Sequence, residues 1–156
     1  MTTLEENWEV PQTEPTQEEL MQNIPELANA KNDYIWNSEE KKGYDRKYIY
    51  HEGYVYYILI GSSGNNTIIS LKRARCDGQK IITLYSVSKY YAFDFNLSIK
   101  RISGGYVYFT RYDSDLNDRT LSTSTESTDY KVKLDGSGGH EKVSSTEWST
   151  PFEGNY

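Results

Sequence analysis

Several kinds of chemistry are excluded by what this sequence has little of. One cysteine, Cys76, in 156 residues leaves no intrachain disulfide and no cysteine-rich zinc site. No run is apolar for long enough to span a bilayer, and the opening MTTLEENWEV has neither the basic start nor the apolar stretch of a signal peptide. The sequence therefore reads as that of a soluble protein, extracellular or at a cell surface if an export signal has been removed. The glycine-rich pieces GSSG, SGG and GSGG follow no phosphate-loop spacing and lack the Lys-Ser/Thr that would face a nucleotide. His51 and His140 stand beside turns, with no serine or cysteine in a nucleophile setting, so no catalytic residues are assigned and the chain is not expected to be an enzyme.

Positive charge is also scarce where a polyanion would need it. The net charge is −6, and residues 1–43 hold 10 acidic and 3 basic side chains, whereas residues 44–156 hold 13 acidic and 14 basic. The acidity belongs to the N-terminal segment. The near-neutral remainder has no electrostatic footprint for nucleic acid or an anionic membrane, so neither nucleic-acid binding nor membrane insertion is expected.

What the chain does have is tyrosine and repetition. Hydrophobic residues are only 36% of the whole, but 15 tyrosines add amphipathic bulk that this figure understates. HEGYVYYILI followed by LKRARCDGQKIITL is matched by SGGYVYFTRY followed by DYKVKLDGSGGHEKV. Tyr54 and Tyr106 are 52 positions apart, Asp77 and Asp135 58, so six extra residues fall in the middle connection of the second copy, where insertions are tolerated. Within the first copy, RKYIY, YVYYILI, TIISLKRAR and KIITLYSV are β-rich runs separated by Gly, Asn and Asp turn signals, which predicts a four-stranded up-and-down sheet. In the second, LSIKRI, YVYFTRY, TDYKVKL and HEKVSS predict another, with a longer loop from Asp113. Cys76 aligns with Leu134 and reads as a small buried apolar residue.

Upstream, residues 1–19 read as a flexible acidic arm. Thr16 with Glu19 has capping-box spacing, and Leu20, Met21, Ile24 and Leu27 recur at roughly helical intervals until Pro25 intervenes. DYIWN, residues 33–37, reads as a short strand or anchor, and SEEKKGYD as a solvated loop turning at Gly43. The expected fold is all-β: two four-stranded antiparallel propeller-like blades with a short N-terminal helix, organised as 1–43, 44–94 and 95–156.

An aromatic-ended strand followed by Leu71, Arg73, Ala74, Asp77 and Gly78, and again by Leu134, Asp135, Gly136 and Ser137, resembles the blades of low-density-lipoprotein-receptor-type β-propellers and of related bacterial domains of unassigned function. Those repeats read Tyr-Trp-Thr-Asp where this chain has Tyr108, Phe109, Thr110 and then Arg111. The resemblance implies a scaffold that binds proteins or other ligands through its loops. Closed propellers have about four to eight blades, so two would have to be completed by homo-oligomerisation, belong to a longer parent, or be capped by the N-terminal helix and the WSTPF tail.

Two groups of residues are candidate sites. Tyr90, Tyr91 and Phe93 crowd the link between the units and could form an aromatic platform for a sugar ring or a protein. Asp113, Asp115 and Asn117 open with the spacing of an oxygen-rich calcium loop, but Asp118 stands where that loop needs Gly and Ser124 where it needs Glu. No cofactor is expected beyond that candidate calcium. The functional expectation is a non-catalytic binding or scaffold module for a protein or glycan; the alternative is a structural component of a larger assembly, docking through the acidic arm and exposed blade faces.

Overall fold

The computed structural model describes residues 8–37, 42–90, 94–117 and 122–144. After a short helix, α1 (Gln17–Asn23), and a 3-10 turn (Pro25–Asn29), the described chain is all-β. A two-stranded ribbon pairs β1 (Asp33–Asn37) with β2 (Lys42–Arg46). Sheet 1 follows, with β3 (Ile49–His51), β4 (Tyr54–Ser63), β5 (Asn66–Arg75) and β6 (Ile82–Tyr90). Sheet 2 holds β7 (Asp94–Ser103), β8 (Tyr106–Asn117), β9 (Ser122–Lys133) and β10 (His140–Lys142). Both four-stranded sheets are antiparallel and keep strand order equal to chain order. Two details differ from the sequence reading. Gly43 is not a turn but a β2 residue opposite Trp36, and the polar stretch after Asp113 continues β8 in register to Asn117, opposite Ser122.

The helix forms where its cap permits and stops at the proline. Thr16 Oγ1 accepts the Glu19 N–H at 3.2 Å, and the Glu19 carboxylate accepts the Thr16 N–H at 3.4 Å, the reciprocal bonding that satisfies exposed donors at a helix start. Pro25 opens the 3-10 turn, where its missing N–H costs nothing. Leu20, Ile24 and Leu27 are thereby turned onto sheet 1 and are 0% exposed, packed with Val55, Tyr57, Ala74 and Cys76. Burying each of these three side chains contributes roughly 1.5–3 kcal/mol. Cys76 is a free, buried thiol whose pKa burial pushes up, with the neighbouring Asp77 charge acting in the same direction.

Strand alternation assigns the other face of sheet 1 to sheet 2. Tyr56, Ile58, Ile69, Leu71, Tyr85 and Val87 share one core with Leu97, Ile99, Val107, Phe109 and Val132. The order of layers is helix, sheet 1, sheet 2. β4 is therefore covered on both faces from Val55 to Ile58, which explains why YVYYILI shows no polar side. Tyr108 and Thr110, on the far face of sheet 2, are 7% and 3% exposed.

Residues 31–33 fasten the layers together. The Lys31 N–H donates to the Ile58 carbonyl of sheet 1 at 2.9 Å, while Lys31 Nζ reaches the Leu97 carbonyl of sheet 2 at 2.9 Å. Asp33 is 5% exposed; its carboxylate accepts from Lys31 Nζ, from Ser98 Oγ at 3.1 Å and from the Ile99 N–H at 3.1 Å. A buried carboxylate is tolerated only with such a set of donors. The bond to Ile99 adjoins the bulge at Lys100, where β7 departs from its ladder with β8.

Candidate functional site at the turn end

In an antiparallel meander alternate connections lie at alternate ends. The β3–β4, β5–β6, β7–β8 and β9–β10 turns share one end, the turn end. The β4–β5 turn, the end of β6, the start of β7, the end of β8 and the start of β9 define the other, the link end.

At the turn end a cleft of about 300 Å³ opens between the sheets, lined by Arg73 of sheet 1 and by Gly104, Gly105, Tyr106, Lys133, Leu134 and Asp135 of sheet 2. Arg73 faces Tyr56 across the β4–β5 ladder, and its guanidinium carbon lies over the Tyr54 ring, 3.6 Å from the centroid. Its Nε is buried and has no hydrogen-bond partner among the described residues. Asp135 is near enough for Arg73 to help lower its pKa, but the larger cause is its own turn: Ser137 Oγ and the Ser137 N–H donate to Oδ1 at 2.7 and 2.9 Å. The carboxylate is thus occupied locally by its own turn. Gly104 and Gly105 have φ of +58° and +83°, and a Cβ built on either meets nothing within 4 Å, so a ligand could approach their backbone closely. A planar guanidinium held on an aromatic ring, a nearby lysine and an uncluttered glycine turn suit an anionic group such as a carboxylate or sulfate.

The candidate residues chosen from sequence belong to the link end. Tyr90 ends β6 and is 46% exposed; Tyr91 and Phe93 lie outside the described residues. Asp113 is bound to Lys89 Nζ at 2.5 Å and to Arg111 Nε at 3.0 Å. Burial pulls its carboxyl upward, but hydrogen bonds from Lys89 and Arg111 outweigh that and hold it below the usual carboxylate range. Asp115 and Asn117 are β8 positions opposite Ser124 and Ser122, and their side chains are outside the description. Among the described residues no group of three or more His, Cys, Asp or Glu could hold a metal ion.

Arg111 also donates to the Tyr85 hydroxyl at 2.8 Å. Tyr85 in turn packs on Phe109 and Tyr130 and takes the edge of His140 at 4.8 Å. His140 is thus part of an aromatic cluster closing the seam between the sheets. His51 lies 3.7 Å from Glu52, and its buried Nδ1 has no partner among the described residues.

Sequence reasoning missed the cleft because Arg73 stood out only as one member of the Leu-x-Arg-Ala segment, and nothing local tells that the β7–β8 turn of sheet 2 lies beside it. Among the described residues no helix is long and apolar enough to cross a membrane. No protein-family model, curated protein or solved structure matches this chain.

Proposed function

We propose that the chain is a non-catalytic binding module whose two sheets are successive propeller-like blades, and that it recognises an anionic group on a protein or glycan ligand through the turn-end cleft. The blade reading is supported by how equivalent residues are used. Val55 and Tyr57 pack toward the helix layer, whereas Val107 and Phe109, 52 positions later, pack toward sheet 1. The same face of each sheet addresses the layer before it, as in the low-density-lipoprotein-receptor-type propellers that the motifs resemble. The binding reading rests on one observation: the Arg73 guanidinium is fixed on Tyr54 while its buried Nε donates to nothing among the described residues. A buried donor without a partner costs free energy that a ligand acceptor would recover.

The alternative, docking of a larger assembly on exposed blade faces, has less to rest on, because the central strand positions 55–58 of sheet 1 and Tyr108 and Thr110 of sheet 2 are buried. Screening acidic glycans and acidic peptides in parallel tests the proposal. Binding that disappears in Arg73→Gln, with an unchanged melting temperature, supports it; a ligand held equally well by Arg73→Gln overturns it.

A further inference from the structure

The fold disposes of most of its sheet edges by visible devices, and among the described residues one edge has none. On the β7 edge, the Leu97 carbonyl is taken by Lys31 Nζ and the Ile99 N–H by Asp33. Where β4 runs past β3, the Lys31 N–H takes the Ile58 carbonyl. Strands β3 and β10 are three residues each, too short to template another strand. The end of β9 beyond β10 carries the charge of Glu126.

β6 differs. It is a nine-residue edge strand without proline, and among the described residues no backbone group outside its sheet bonds to it. Its only charged residue, Lys89, would normally guard such an edge, but here it is turned away, bound to Asp113 at 2.5 Å and lying 5.7 Å from the Phe95 ring centroid. A bulge leaves Leu84 without a β5 partner, so the straight part centred on Val87 is residues 85–89.

From this we infer that β6 is a self-association edge, and that its occupant is β6 of a second copy of this chain, antiparallel about a two-fold axis at Val87. The sequence Ser86-Val87-Ser88 reads the same in both directions about that axis. Pairing sets Ser86 of one copy against Ser88 of the other and Val87 against Val87, the self-complementarity that a two-fold interface requires. Ser86 and Ser88 are both exposed. The hydroxyl pairing has a counterpart inside the sheet, where Ser70 Oγ and Ser86 Oγ meet at 3.1 Å across β5 and β6. Two four-stranded sheets become one of eight. An unrelated extended peptide would gain the same backbone bonds but little discrimination from Ser86, Val87 and Ser88.

The inference is independent of the turn-end cleft and is tested on the whole chain by sedimentation velocity over a concentration series. The expected species at high concentration has twice the 18.1 kDa mass of the chain. Ser86→Lys and Ser88→Lys each place a charge on the edge from an exposed position; the expected result is loss of the dimer, at least a tenfold rise in its dissociation constant, with unchanged circular dichroism. Glu141→Lys, on β10, should leave the dimer intact. Register is read by oxidative cross-linking: a mixture of Ser86→Cys and Ser88→Cys chains should cross-link more than either alone, since Cys76 is buried. A chain that stays monomeric throughout, a dimer indifferent to both edge lysines, or one broken by Glu141→Lys overturns the inference.

Discussion

The two sheets carry the same Asp-Gly turn in different surroundings. In sheet 1, Asp77 receives Arg75 through two bonds, at 2.9 and 2.6 Å, and also the Gln79 N–H at 3.0 Å. Gly78, at φ +88°, lies so close to the end of α1 that an added Cβ would come within 2.3 Å of the Asn23 carbonyl oxygen. In sheet 2, Asp135 is exposed and bonds only Ser137 among the described residues, and a Cβ on Gly136 would come to 3.2 Å from the movable tip of Leu84. Turn chemistry sets the local shape in both places. What presses on the turn decides how much stability depends on it, and it leaves the second turn free to border a cleft.

The largest test of this difference is alanine at the two glycines. Gly78→Ala is expected to cost about 3 kcal/mol or more, because positive φ and a backbone clash combine, whereas Gly136→Ala is expected to cost about 1 kcal/mol; chemical denaturation of both variants checks the ratio. Equal losses would break the comparison. Asp33→Ala removes the tie between the sheets and should cost about 3 kcal/mol, read from the same denaturation curves.

Smaller effects are expected at the aspartates. Asp77→Ala should cost about 1 to 2 kcal/mol, and Asp135→Ala should leave the melting temperature nearly unchanged. Acid sharpens the contrast further. The hydrogen bonds from Arg75 hold the Asp77 carboxyl below its ordinary value against the effect of burial. A depressed folded-state pKa contributes stability that is present above the unfolded value of about 3.9 and is lost as pH falls through the folded value. Melting temperatures followed downward from neutral pH should therefore fall below about pH 4, with a shallower fall in Asp77→Ala.

Much of the fold was legible because its determinants are local. Alternating Val, Ile and Tyr runs, Asp-Gly turns and the Thr16–Glu19 cap each lie within a few residues of what they specify. The polar end of β8 and β9 was not. Ser, Thr and Asp suggest a loop, but in the structure the ladder with the partner strand sets the conformation. The six inserted residues accordingly lengthen both strands as well as their connection: β8 and β9 have 12 residues each where β4 and β5 have 10. Asp33 was hidden for a related reason. DYIWN reads only as a short strand or anchor, while the carboxylate that ties the sheets together finds Ser98 and Ile99 more than sixty residues away. Arg73, likewise, acquires its meaning only when the Gly104–Gly105 turn arrives beside it.

The claim that recognition belongs to the turn end, not the link end, is tested most directly by amide and arginine Nε–H chemical shifts during titration with glucuronate and with inorganic sulfate. The account expects saturable shifts at Arg73, Gly104, Gly105 and Leu134. Shifts confined to Lys89, Tyr90 and Phe95, or none that saturate, would contradict it.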